Sequence, residues 1–208
     1  MIQYSQMNKV NIIKSHFQKH DNVIYEVMRH MNLSLLPAHG KPANYFARLC
    51  REIISQQLAS GAANAILDRF SSLFPNKKYT PEAVLALPDK KLREAGMSWA
   101  KARYIKNLAQ TIVNHDIALD KLIHLSDEAV ILELTKVKGI GRWTAEMFLM
   151  FSMGRENVFS HGDLGLKKAM MKLYGFDDHP SIRKVNTIVD KWSPYKTYGC
   201  LALWSIFE

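Results

Sequence analysis

The stretch Leu134-Thr-Lys-Val-Lys-Gly-Ile-Gly-Arg-Trp-Thr-Ala145 sets two glycines around one isoleucine where one helical pattern ends and the next begins. Gly139 and Gly141 let the main chain turn tightly and lay its N–H groups bare. The positive end of the following helix points the same way, so helix, turn and helix form a cradle for an anionic group. Lys136, Lys138 and Arg142 flank the turn, and Thr144 lies just inside the second helix. An ordinary helix–helix turn, in which glycine only relieves strain, carries the same local pattern. Eighteen residues beyond Ala145 stands Asp163, in Val158-Phe-Ser-His-Gly-Asp-Leu-Gly165. Helical packing places such a carboxylate within reach of a cradle, which makes the combination a clamp coupled to an acid.

Composition narrows what the clamp would hold. The chain has 208 residues, 48% of them hydrophobic, enough to bury a core as one domain or one domain with two lobes. Its 28 Lys and Arg against 19 Asp and Glu leave a formal charge of +9, a field that attracts polyanions, with nucleic acid the leading class. The bland alternative is a charge excess that serves solubility. Cys50 and Cys200 are the only cysteines, which excludes a disulfide framework and a four-cysteine iron–sulfur site and points to a reducing compartment. No His/Cys cluster has zinc spacing. The first residues lack a signal-peptide pattern and no apolar run reaches bilayer length, so a soluble intracellular protein with no membrane partner is expected.

The apolar spacing is helical nearly throughout, and no segment alternates as a half-buried strand would, so the fold is all-α. An amphipathic helix is expected from about Val10 to Met31. Leu33-Ser-Leu-Leu-Pro-Ala-His-Gly-Lys-Pro42 then interrupts the pattern as an inter-lobe linker. A second helix carries Tyr45, Phe46, Leu49, Ile53 and Ile54 inward and ends near Ser55-Gln56-Gln57. A third runs from about Ser60 until Pro75 stops it. Thr80-Pro81-Glu82 supplies an N-cap, an N1 proline and first-turn acid for a helix from Pro81 to Leu87. Another runs from Asp89 to Ala95 and stops at Gly96. Ser98 and Ser126 cap the next two, Arg142 to Met153 follows the glycine turn, and Leu164 opens two or three more. No internal repeat of fixed period is present.

In a basic, all-helical chain the segment Val137-Lys-Gly-Ile-Gly-Arg-Trp-Thr-Ala-Glu-Met-Phe148 resembles the helix-hairpin-helix of the DNA glycosylase superfamily in which a Gly/Pro-rich loop and a catalytic aspartate follow. The resemblance is closest to the 3-methyladenine DNA glycosylase II group. Ile53-Ile-Ser-Gln-Gln-Leu58, Leu92-Arg-Glu-Ala-Gly-Met-Ser98, Val158-Phe-Ser-His-Gly-Asp-Leu-Gly165, and Trp192-Ser-Pro-Tyr-Lys-Thr-Tyr198 with Trp204 agree with it, in order, across roughly Tyr45 to Trp204.

The resemblance implies a two-lobed helical fold with an active-site cleft between lobes of approximately 45–155 and of 1–40 plus 156–208. It implies an enzyme of base excision repair that flips an alkylated purine, of the 3-methyladenine or 7-methylguanine type, out of double-stranded DNA. Hydrolysis of the bond from base to sugar then leaves an abasic site. Asp163 takes the catalytic position; considered alone it reads as a helix N-cap before Leu164-Gly-Leu-Lys-Lys, and the two roles can hold together. Trp143 stands where lyase relatives carry a Schiff-base lysine, which favours a monofunctional enzyme. Trp143, Met147, Trp204 and Tyr45 supply pocket walls for an electron-poor base, with core packing the ordinary alternative for each. Gln57 takes the wedge position, or is a helix-terminal glutamine in solvent. Lys136, Lys138, Gly139, Gly141, Arg142 and Thr144 contact the DNA backbone. Carbonyls of Thr135, Val137 and Gly139 are implied as ligands of a structural monovalent cation, Na or K, with no other cofactor required.

A monomer is expected, in the bacterial nucleoid or the eukaryotic nucleus. Two other functions keep the same hairpin: a non-catalytic binding module for damaged DNA, and a glycosylase for another base such as hypoxanthine or uracil. Among the other carboxylates, Glu146 is expected as an internal partner one turn into the hairpin's second helix, and Asp177 and Asp178 as solvated turn residues.

Overall fold

The structure is a computed structural model that describes residues 2–33, 36 and 41–207, with side chains from residue 7. Among these residues every regular element is a helix and none is a strand, so the all-α expectation holds. The α-helices are α1 Ile2–His20, α2 Asn22–His30, α3 Tyr45–Ser55, α4 Ser60–Ser71, α5 Pro81–Ala86, α6 Asp89–Glu94, α7 Trp99–Val113, α8 Asp127–Thr135, α9 Arg142–Phe151, α10 Leu164–Tyr174, α11 Ile182–Val189 and α12 Lys196–Ser205. They divide into two compact units, Met1–Ala38 with Gly154–Glu208, and His39–Met153. Of the expected linker, Ser34, Leu35 and residues 37–40 lie outside the described residues; Pro42–Asn44 is a short 3-10 turn leading into α3. No described helix is long and apolar enough to cross a membrane.

In the first unit, the single helix expected from Val10 to Met31 is two, because Asp21 does more as a break than as a helical side chain. Its backbone leaves the helical region (φ −156°), and Oδ1 caps α2 by accepting from Val23 N at 3.1 Å and Ile24 N at 3.4 Å. Its Oδ2 accepts from Tyr174 Oη and Trp192 Nε1, each at 2.8 Å. A carboxylate that satisfies four donors repays the helix interruption. Ile13 and Phe17 on α1, and Ile24 and Met28 on α2, repeat at four-residue spacing and are fully buried. Trp192, also fully buried, packs against Phe17 and Phe159. Replacing such a tryptophan by alanine costs about 3–5 kcal/mol.

The start of α12 anchors the loop that leads to Asp163. The buried Thr197 hydroxyl donates to Arg155 O at 2.7 Å and accepts from Val158 N at 3.1 Å, while Thr197 N donates to Glu156 O at 2.9 Å. The loop's polar backbone is thereby satisfied inside the unit rather than by water.

In the second unit the capping residues do what their positions foretold. Thr80, Ser98 and Ser126 each accept from the N–H three residues on, and Gly96 ends α6 with φ +101°. Helix α9 is buried continuously from Thr144 to Met150, which makes it the central helix of this unit. Tyr45 of α3 meets Phe148 of α9 edge-on at 5.1 Å. The hairpin of interest is thus the mouth of the unit's best-buried element.

Candidate functional site

Asp163 is the N-cap of α10 and only 8% exposed. One oxygen, Oδ1, accepts from Leu166 N at 2.7 Å and from Trp204 Nε1 at 3.1 Å. The two readings of this residue are compatible: capping fixes the carboxylate's rotamer, and the indole of α12 holds it from a second direction. Trp204 is partly exposed, so its ring is both a donor scaffold and accessible surface. Gly165 lies against the pair: a Cβ there would stand 3.1 Å from Asp163 Oδ1 and 3.3 Å from Trp204 Cδ1. Ser160 is fully buried and His161 stands edge-on to Phe159 at 5.0 Å, so this loop is packed against its own unit. Asp177 and Asp178 are exposed, as expected of turn residues.

The hairpin joins α8 to α9. Gly139 has φ +107°, and a Cβ on it would lie 2.2 Å from Tyr104 Cγ of α7; no other residue fits there. Gly141 differs, with φ −89° and no atom within 4 Å of the place a Cβ would take. The space before the first turn of α9 is therefore open, and no side chain caps that turn. A helix N-terminus that opens onto free space has the elements of an anion site.

The cations around the hairpin are not equivalent. Lys138 is exposed and makes no ion pair among the described residues. Lys136 pairs with Glu133 at 2.6 Å, an exposed pair of the kind that yields readily. Arg142, expected among the DNA-backbone contacts, already has partners within the protein. Its guanidinium grips Glu128 through two hydrogen bonds, at 2.9 and 2.8 Å, and Glu146 through a third at 3.0 Å. Glu146 is buried and needs that partner. The hydrogen bond from Arg142 holds the Glu128 carboxyl below the usual range, and the same bond raises the Arg142 pKa. Arg142 braces the mouth of the hairpin. Glu146 fulfils the internal role expected of it.

Thr144 is buried, and its hydroxyl accepts from Gln56 Nε2 at 3.0 Å. The same amide donates to Gly139 O at 3.0 Å. Val137 O already accepts from Ile140 N at 3.0 Å, and Thr135 turns its hydroxyl back to Ile131 O at 2.8 Å. Val137 O and Gly139 O each receive one N–H here and keep a second lone pair, the one a monovalent cation would use.

Gln57 is exposed and held at φ +57°, a region that costs a non-glycine residue about 1 kcal/mol or more. Leu58 beside it is also exposed. Trp143 is 37% exposed at the start of α9, and Met147, one turn further on the same face, is 5% exposed. Tyr45 is fully buried, so the expectation that it walls a pocket is replaced by a core role against Phe148. Reasoning from sequence missed Gln56, Tyr104, Lys101 and Glu128 as parts of this assembly. Only the polar pair Gln56-Gln57 at a helix end hinted at it.

Residues 50–194 match the family described as HhH-GPD superfamily base excision DNA repair protein. A putative DNA-3-methyladenine glycosylase of Bacillus subtilis, YfjP, is 33% identical over 162 residues, covering 75% of this chain and 56% of its own length. DNA-3-methyladenine glycosylase 1 of Schizosaccharomyces pombe is 34% identical over 161 residues, 76% of this chain and 71% of its own. The solved structure of a Schizosaccharomyces pombe 3-methyladenine DNA glycosylase with abasic DNA superposes with a TM-score of 0.78 at 30% identity, covering 93% of this chain and 95% of that one. The chain thus spans little more than half the length of the Bacillus relative and nearly all of the yeast structure.

Proposed function

The chain belongs to the HhH-GPD superfamily of base excision DNA repair proteins, and from that premise we propose that it is a monofunctional DNA glycosylase for alkylated purines. The observation that carries this reading is Asp163, a nearly buried carboxylate held by Leu166 N–H and Trp204 Nε1–H. A cap alone needs no second donor from a helix so distant in the chain.

The target base must leave the stack before its glycosidic bond can be reached. In the second unit, the first-turn N–H groups of α9, Gly141 and Lys138 grip the backbone without reading sequence. Gln57 and Leu58 fill the gap left by the extruded base. Trp204, in the same unit as Asp163, stacks on a base made electron-poor by alkylation, for which an aromatic face is the natural partner. As the bond to the base breaks, positive charge grows on the sugar, by analogy with glycoside hydrolysis. The Asp163 carboxylate stabilises that charge and orients or deprotonates the attacking water. Base and abasic site are the products. The reaction as proposed uses no cofactor, and the protein acts on double-stranded DNA as an intracellular monomer. Trp143 cannot form a Schiff base, so the strand stays intact.

The test is base release from methylated duplex DNA by wild type and Asp163→Asn, with released bases identified by mass. Asparagine can accept from Leu166 and Trp204, so geometry is retained while the charge is lost. Wild-type release of 3-methyladenine or 7-methylguanine that vanishes in the variant is expected. An inactive wild type leaves the binding-module reading; release of hypoxanthine or uracil alone changes the substrate; strand cleavage without added base contradicts monofunctional action.

A further inference from the structure

Helix α3 ends at Ser55, and its last turn leaves carbonyls that nothing in the helix itself satisfies. Lys101, on α7, supplies the missing donors: its ammonium reaches Ile54 O and Gln56 O, each at 2.7 Å. A cation at a helix C-terminus also meets the negative end of the dipole. The carbonyls it captures bracket the residue at which the chain turns, just before Gln57 enters the left-handed region. Burial lowers the Lys101 pKa, a mark of an ammonium drawn off the surface and toward the protein's own backbone.

Two further contacts extend this clamp to the hairpin. Tyr104, one helical turn beyond Lys101, is the ring on which Gly139 rests. Gln56 spans from the α3 turn to Gly139 O and Thr144 Oγ1, both at 3.0 Å. The exposed tip at Gln57 and Leu58 is therefore tied to the hairpin twice, once by a side-chain amide and once through α7. All of these atoms lie in the second unit.

We propose that Lys101 is a positioning residue: its ammonium holds the Gln56–Gln57 turn in its left-handed form, and Gln56 sets the tip at a fixed distance from the hairpin. Grip on the backbone then delivers the tip to the duplex at a set depth, and Lys101 does this without touching DNA. The inference rests on the reading of the chain as a base-extruding glycosylase.

It is tested with Lys101→Met and Lys101→Arg on a duplex carrying a methylated purine beside 2-aminopurine, whose fluorescence rises when stacking is lost. Anisotropy on undamaged duplex reports backbone grip, and single-turnover base release reports the reaction. Lys101→Met is expected to bind undamaged duplex within about twofold of wild type, yet to lose about tenfold or more in fluorescence rise and release, the scale of a lost charged hydrogen bond. Arginine, which can also serve two carbonyls, restores most of both. The proposal is overturned if Lys101→Met loses undamaged-DNA affinity in proportion to release, the mark of a phosphate ligand. It is equally overturned if the variant flips and releases as wild type does, or if arginine fails to rescue a variant that binds normally. A wild type that neither unstacks nor releases the base overturns the glycosylase reading itself, and the clamp with it.

Discussion

Trp204 donates its indole N–H to Asp163 Oδ1 across 3.1 Å, joining the start of α10 to the end of α12. With Leu166 N–H on the same oxygen at 2.7 Å, the carboxylate has two fixed donors and one preferred rotamer. Trp204→Phe keeps an aromatic face and removes one donor. A hydrogen bond to a charged group contributes about 1.5–3 kcal/mol, so base release should slow about ten- to a hundredfold if the bond orients the acid in the transition state. Single-turnover release checks it. Gly165→Ala, whose methyl would press on the same pair, should slow release while the fold survives. Wild-type rates in both variants would remove the orienting role.

Gly139→Ala should destabilise the second unit and weaken binding to every duplex alike. A left-handed alanine costs about 1–2 kcal/mol, and overpacking against Tyr104 adds about 1–3 kcal/mol. Urea unfolding of Gly139→Ala, alone and with Tyr104→Ala, separates the two: the second change should recover the steric part and leave the backbone part. Loss of binding to one lesion only would contradict a phosphate-positioning role.

Glu128→Gln should strengthen binding to any duplex. It releases the Arg142 guanidinium from its bidentate carboxylate while Glu146 remains as a partner. One more phosphate contact would steepen the dependence of log affinity on log salt by about 0.9, and Lys138→Ala should flatten it by about as much. Titrations at several salt concentrations measure both. An unchanged slope in Glu128→Gln would mean that Arg142 cannot reach the backbone even when freed.

Glu52, on α3, is pushed up to about 7 by burial, against the pull of Arg51 and Arg48 toward lower values. Its folded value lies above the unfolded one, so between about pH 4.5 and 7 the folded state binds more protons and stability falls as pH rises. The difference approaches about 3 kcal/mol at most, reached above pH 7. Glu52→Gln should therefore be more stable than wild type at pH 8, with the gain vanishing near pH 4. Chemical unfolding across that range decides it, and a pH-independent difference would refute it.

Much of this molecule was legible without coordinates. Thr80, Ser98 and Ser126 were readable as caps because a cap and its N–H lie three residues apart. Asp163 was readable as a cap because the helical pattern begins directly after it, and as the acid only through the family resemblance. The one helix that became two shows the limit. Asp21 breaks the pattern on behalf of Tyr174 and Trp192, far along the chain, and no periodicity announces such partners.

By itself the sequence determined the helical class, most helix ends, the glycine hairpin and the capping aspartate that follows it, since periodicity, capping and turn chemistry act over a few residues. Only the tertiary structure decided what each of these groups holds. It gave Trp204 to Asp163, Gln56 to Gly139, Lys101 to the turn before Gln57, and Arg142 to Glu128 rather than to solvent. Hydrogen bonds between groups remote in sequence leave no repeating trace along the chain, and they form only where packing has already brought donor and acceptor within about 3 Å.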